Sequence, residues 1–303
     1  MNANAQIAKR HTKKRTFDWF FFVIFVILFL YTASLLIPVI WTFLTSVKDN
    51  DEYTILDNIL GWPSSWRWSN YATAYTNFYV PIQRNGQTYH YTMPYLFWNS
   101  ILYSVGCAVA ATITPCLVAY LCARYPFRFS KVVYAIVLVA MSLPIVGSLP
   151  SEIQMSKTLH FFDTFWGIWL MKANFLGIYF LVFYARFKTI PAAYSEAAKI
   201  DGASNTRVLW QVILPLAKDT LFTVFLLNFV TFWNDYQIPM VYLPSHPVAA
   251  YGMFLFQNST VTEISYTPVK LAGILLMTLP ILLISLIFSR RLMTNINVGG
   301  IKE

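Results

Sequence analysis

Three charged side chains, Glu196, Lys199 and Asp201, stand close together in the string Glu196-Ala197-Ala198-Lys199-Ile200-Asp201-Gly202-Ala203-Ser204, and Leu214-Pro215 follows with Pro215 eleven residues beyond Ser204. The string lies between two long apolar runs, so this is a polar, glycine-broken element in a chain that otherwise avoids charge. A second set of polar groups falls inside apolar runs. Asn228, Thr231 and Asp235 recur at i, i+3 and i+7, which places them on one face of a helix. Two roles fit that face: hydrogen bonds between helices, or the lining of a hydrophilic path helped by Trp233, Tyr236 and Gln237. Lys172 and Asn174 make a smaller group of the same kind, with the Lys172 ammonium able to snorkel towards an interface. Bond-making chemistry finds little support. H-E-x-x-H, G-x-S-x-G and paired intramembrane carboxylates are absent and the four histidines are scattered, so an intramembrane enzyme is the weaker reading. The P-loop pattern is absent too, so any ATP-driven work needs another chain. Cys107, Cys116 and Cys122 share one apolar run without metal-type spacing, and read as small packing residues.

The elements that must hold these residues are membrane spans. Hydrophobic residues make up 57% and charged residues 12% of the chain, about half the charged fraction of a soluble domain, and mean hydropathy is +0.53. A spanning helix needs roughly 20 mostly apolar residues. Six segments qualify, near 19–47, 96–121, 132–150, 165–184, 216–241 and 269–288, and predict an all-α polytopic membrane protein. The first run is too long for the apolar part of a signal peptide and is kept as a span. Basic residues set its direction. The tail before the first span, the 124–131 loop, the 186–218 loop and the C-terminus hold 5, 3, 5 and 3 Lys/Arg, together 16 of 22. The positive-inside rule therefore predicts both termini in the cytoplasm. The basic distribution flanks spans and does not form a nucleic-acid surface. The organisation expected is a basic tail (1–18), a six-helix domain (19–293) with an external loop (48–95) and a cytoplasmic loop (186–218), and a tail (294–303).

Within the external loop, Asn85-Gly86 predicts a β-hairpin with a type I′ turn. In the cytoplasmic loop, Pro191 suits a helix start, 192–200 a short helix, and Gly202 its break. Asp201 or Ser204 can cap the next helix. That helix carries Val208, Leu209, Val212 and Ile213 as one apolar stripe. Pro115, Pro144, Pro239 and Pro280 are expected to interrupt spans.

The string E-A-A-x-x-D-G-A-S followed by L-P, in the loop before the penultimate span, resembles the inner-membrane permeases of binding-protein-dependent ABC importers, and more narrowly the maltose-type carbohydrate permeases. The resemblance extends over most of the chain, through Asn99-Ser100, Tyr120 to Arg124, Ile190-Pro191, Trp233-Asn234-Asp235 and Val298-Gly299-Gly300-Ile301-Lys302. It implies type I ABC importer architecture in a bacterial or archaeal cytoplasmic membrane. It also implies a second permease subunit, two ATPase subunits that bind the ATP and Mg, and an extracellular solute-binding protein. No cofactor of this chain's own is implied. Glu196, Ala197, Ala198, Asp201, Gly202, Ala203 and Pro215 would couple to the ATPase. Glu196 would pair with a basic residue there, and Gly202 would allow the bend. Gly299 and Gly300 would thread between the ATPase subunits. Leu209 stands where Phe is usual, Asp219 where Pro is common, and Glu303 where the tail usually ends in glycine. The cargo implied is a sugar or oligosaccharide, with glycerol phosphate or another polar solute as the alternative. A self-sufficient secondary transporter is less well supported, because no internal repeat is found.

Overall fold

The computed structural model describes residues 19–125, 127, 129–143 and 147–296, without the side chains of 285 and 287–296. The basic tail 1–18, Pro144 and the Gly299-Gly300 segment lie outside the described residues. Helix α1 (Trp19–Ser46) leads into α2 (Asn50–Thr54), α3 (Ser69–Asn77) and strands β1 (Tyr79–Arg84) and β2 (Gln87–Thr92). Then come α4 (Met93–Arg124), α5 (Ser130–Ser142), α6 (Leu149–Thr158), α7 (Phe165–Lys172) and α8 (Ile178–Thr189). The 186–218 loop of the sequence forms α9 (Ala193–Ile200), α10 (Asn205–Val208), a π-helical turn (Leu209–Ile213) and α11 (Leu214–Leu216). Helices α12 (Lys218–Trp233), α13 (Gln237–Tyr242), α14 (Ala249–Gln257), α15 (Thr262–Ser265) and α16 (Thr267–Ile296) follow.

Among the described residues three helices are long and apolar enough to cross a membrane: α1, α4 and the 267–284 part of α16. A fourth is added if Asn205–Leu216 and Lys218–Trp233, bent by 75°, count as one broken span. The remaining expected spans are in shorter pieces. The segment 165–184 is not one helix: α7 stops at Lys172 and α8 starts at Ile178. The Asn174 side chain accepts the Leu176 N–H at 2.8 Å, a local turn that competes with the helix ladder, and extended Gly177 restarts α8. The 216–241 run also divides. Asp235 N–H bonds back to Phe232, and the Asp235 carboxylate accepts the Ile238 N–H at 3.1 Å, opening α13. Pro115 and Pro280, expected to interrupt helices, sit inside α4 and α16. Loss of one backbone bond is tolerated there; side-chain competition at Asn174 and Asp235 is what breaks the ladder.

Helix α4 is the central post, packed against α7, α8, α12 and α14. Small residues let its neighbours approach closely. Gly106 faces Trp169, and a Cβ there would lie 2.1 Å from the indole, whose Nε1 donates to Leu102 O at 3.2 Å. Asn99 donates to Pro247 O and Ser100 accepts from Ala249 N–H, tying the start of α4 to the start of α14. Two apolar cores result. One surrounds Tyr103, Phe229, Trp233 and Phe256 near the Met93 end of α4; the other surrounds Tyr120, Phe183, Phe187 and Ile213 near the Arg124 end.

The expected hairpin is present. β1 and β2 pair antiparallel with Arg84 opposite Gln87, leaving Asn85 (φ 53°) and Gly86 (φ 76°) as the two-residue turn. Just past α1, Lys48 is buried and its ammonium donates to Asn58 O and Ile59 O. Buried Glu52 accepts from Asn58 Nδ2 (2.7 Å), Ser64 N–H (2.8 Å) and Ser64 Oγ (3.0 Å). Burial pushes the Lys48 pKa below its usual value against the pull of Glu52. Burial pushes Glu52 upward, but the Ser64 and Asn58 hydrogen bonds and the Lys48 charge together bring it below the usual carboxylate value.

Candidate functional site

The chemistry-bearing string folds as a capped helical hairpin. Helix α9 begins just after Pro191, and Gly202 ends it with φ +83°. Gly202 N–H bonds Lys199 O at 3.0 Å, and Ala203 N–H bonds Ala198 O at 2.9 Å. Those two bonds with a left-handed residue form a Schellman motif, so glycine is required by backbone conformation. Nothing lies within 4 Å of where a Cβ would sit, so space is not the constraint. Of the two capping candidates Ser204 does the work, accepting Arg207 N–H at 3.3 Å. The following helix widens into a π turn, with Leu214 N–H bonded to Leu209 O. Pro215 explains the irregularity: it brings no N–H, and its ring crowds the carbonyl four residues back.

The apolar stripe faces the bundle. Val208 and Ile213 are buried, and Leu209 and Val212 pack with them on the core at the Arg124 end of α4. Ala198 and Ala203 join that contact. Glu196, Ala197, Asp201, Gly202 and Pro215 are exposed on the other side. The Arg186 guanidinium donates to Leu216 O at 2.8 Å and ties the two ends of the hairpin together. Glu196 lines a cavity of about 160 Å³ with Tyr120, Arg124, Tyr125 and Lys199, and takes part in neither ion pair found among the described residues. Lys199 stands over the Tyr125 ring at 5.8 Å. The hairpin therefore presents a carboxylate outward beside a basic pocket. The sequence reading passed over Ile200, 86% exposed, and Trp210, 57% exposed. Trp210 is out of phase with the buried stripe of its own helix, and that phase was the available signal; Ile200 ends α9, outside that stripe. Trp210, Leu214, Pro215, Lys218 and Phe222 border a groove of about 590 Å³.

The polar residues at membrane depth separate. Asn228 is buried and donates to Thr112 Oγ1 at 3.1 Å, joining α12 to α4. Asp235 lies beyond the end of α12 and accepts the Tyr103 hydroxyl at 2.7 Å. Thr231 is exposed, its hydroxyl bonded to Leu227 O. The expected single face is thus divided, because the helix ends before Asp235 and two of its three members bond to α4. Trp233 is buried against Phe97 and Phe229 and lines no path. Lys172 and Asn174 flank the α7–α8 break and line a cavity of about 180 Å³ with Ala111, Pro115 and Tyr179. Lys172 there shares the lining with Ala111 and Pro115 of the middle of α4.

Long apolar helices and a polar hairpin held outside the apolar core describe a membrane protein. The chain belongs to the family of binding-protein-dependent transport system inner membrane components, whose pattern matches residues 116–297. It is 27% identical over 276 residues to the diacetylchitobiose uptake system permease protein NgcG of Streptomyces coelicolor, covering 90% of this chain and 86% of that one. It is 28% identical over 276 residues to the trehalose transport system permease protein SugB of Mycobacterium tuberculosis, covering 88% and 92%. The fold is shared with a bacterial ABC transporter involved in the import of the acidic polysaccharide alginate, at TM-score 0.69 and 23% identity over 89% of this chain and 95% of that one.

Proposed function

We propose that this chain is a permease subunit that carries a sugar or oligosaccharide inward, driven by a separate ATPase that grips residues 186–218. The observation that carries the coupling is the hairpin itself: its apolar stripe is docked on the bundle, while Glu196, Asp201 and Ile200 are left exposed. Six spans account for the architecture: α1, α4, α5, the broken α7–α8, the broken α12–α13, and α16. Both termini and the hairpin then lie in the cytoplasm, as the distribution of Lys and Arg requires. The cargo class is supported by the sugar-transporting relatives NgcG and SugB. A second permease, two ATPase subunits and an external binding protein complete the working complex, and ATP with its Mg binds to the ATPase.

The test is charge reversal at the exposed carboxylate. In complexes reconstituted with the ATPase and binding protein, Glu196→Lys abolishes substrate-stimulated ATP hydrolysis while the permease still inserts. Stimulation at the unsubstituted level would overturn the coupling assignment.

A further inference from the structure

The hairpin meets α12 at an elbow. Its last arm, Asn205–Leu216, and Lys218–Trp233 are bent by 75° relative to one another. The groove of about 590 Å³ lies in that angle, with Trp210 and Leu214 from one arm and Lys218, Asp219 and Phe222 from the other. After Asp219, α12 carries no charged residue as far as Trp233. Lys218 and Asp219 therefore mark the level at which this helix leaves the bilayer, since a charge deeper in would be costly.

The lining joins two kinds of chemistry. Exposed Trp210, with Leu214 and Phe222, supplies an apolar wall. Tryptophan suits the headgroup level because its ring is apolar while its N–H is polar. Beside that wall Lys218 and Asp219 are exposed, and neither enters the two ion pairs found among the described residues. Their placement on the helix differs in cost. Asp219 in the first turn of α12 is favoured by the helix dipole, whereas Lys218, the first residue, is opposed by it. The dipole thus accounts for the aspartate alone. The lysine is stabilised there by an anion from outside the helix.

One cation and one anion side by side match a zwitterion. Lys218 suits a phosphate and Asp219 an ammonium, both as charge-assisted contacts. A primary ammonium brings three N–H donors to the Asp219 carboxylate, and a quaternary choline brings none. A glycerol headgroup has no cation to offer Asp219. An acyl chain fits the Trp210, Leu214 and Phe222 wall, so a single phospholipid uses both halves of the groove.

We propose that this elbow binds a phospholipid with a zwitterionic primary-ammonium headgroup, of the phosphatidylethanolamine kind, where the hairpin joins the bilayer. The inference needs only that α12 starts at a membrane surface. It stands apart from the cargo and ATPase assignments.

The test uses the full complex of permeases and ATPase, purified in detergent and given equal amounts of phosphatidylethanolamine, phosphatidylcholine and phosphatidylglycerol. Native mass spectrometry counts the lipid retained. The unsubstituted complex retains phosphatidylethanolamine about fivefold over phosphatidylcholine, the size of one exposed charge-assisted contact. Asp219→Asn, which keeps the shape of the groove, removes that preference. Trp210→Ala lowers retention of all three lipids, and both variants still assemble with the ATPase. Equal retention of the ethanolamine and choline lipids by the unsubstituted complex overturns the proposal, and so does a preference for phosphatidylglycerol. A preference that survives Asp219→Asn puts the lipid elsewhere and overturns it too. Loss of the ATPase from either variant makes the groove a protein contact and overturns the lipid site.

Discussion

The loop after α1 and the hairpin after α8 are both polar excursions from an apolar chain, yet they handle charge in opposite ways. The first turns charge inward: Lys48 and Glu52 are buried and surrounded by partners from 58 to 64. Asn70 adds two bonds, to Ser46 O and Lys48 O. The second turns charge outward: Glu196, Lys199 and Asp201 are exposed, and an apolar stripe does the anchoring. The physical difference is self-sufficiency. A loop that satisfies its own charges is a rigid platform, because breaking one partner strands the others in a low-dielectric site. A hairpin held by non-directional apolar contact can shift as a unit and leaves its charges exposed.

The largest effect is expected where charge is buried. Glu52→Ala removes the acceptor shared by the Asn58 amide and the Ser64 hydroxyl and N–H, together with the carboxylate charge near Lys48, whose own bonds to Asn58 O and Ile59 O remain. The cost is about 2–3 kcal/mol, seen as a lowered unfolding midpoint in detergent. Acidity gives a second readout of the same variant. The folded-state pKa of Glu52 is below its unfolded value, so its contribution is present above the ordinary carboxylate range and is lost as pH falls through the depressed value. The unsubstituted protein therefore loses more stability on acidification below about pH 4.3 than Glu52→Ala does. Lys48 acts at the other end. Its lowered pKa means the buried ammonium opposes folding at neutral pH, and that cost is relieved as pH rises through the depressed value. Parallel acid profiles for the two proteins would remove the buried-charge account of the platform.

A smaller effect is expected in the hairpin. Gly202→Ala places a Cβ in open space but at φ +83°, costing about 1 kcal/mol through backbone strain alone. Because the hairpin is anchored by its stripe, the loss appears as faster amide exchange over α9 and leaves α2 and α3 protected. A loss of protection spreading to those helices would show that the two loops form one cooperative unit, contrary to the comparison.

The hairpin was legible in the sequence because its signals are local. Gly202, Ser204 and the spacing of Val208, Leu209, Val212 and Ile213 act within a few residues, and so does the Asn85-Gly86 turn. The platform was not legible, because Lys48 meets Asn58 and Glu52 meets Ser64 only after the chain folds back. An aliphatic stem ending in a charge reads as surface in any linear scan. The helix breaks at 173–177 and 234–236 were missed for a related reason. Apolar content extends straight through them; the 173–177 break holds no proline, while Pro239, expected to interrupt the fifth span, sits just past the 234–236 break inside α13. What breaks the ladder is a side chain at Asn174 or Asp235 competing for backbone N–H groups.

The smallest effect tests whether charge-free polar contacts at membrane depth behave like either loop. Asn228 and Thr112 bond across α12 and α4 at 3.1 Å, while Thr231, one turn away, bonds only to its own helix. A double-mutant cycle on Asn228→Leu and Thr112→Val is expected to give about 0.6 kcal/mol of coupling, the usual size for such pairs in membranes. The same cycle with Thr231→Val in place of Thr112→Val is expected to give none. A coupling near zero for both would leave the α4–α12 contact to apolar packing alone, as in the hairpin. A coupling of several kcal/mol for Asn228 and Thr112 would place it with Lys48 and Glu52, as a polar network whose members stand or fall together.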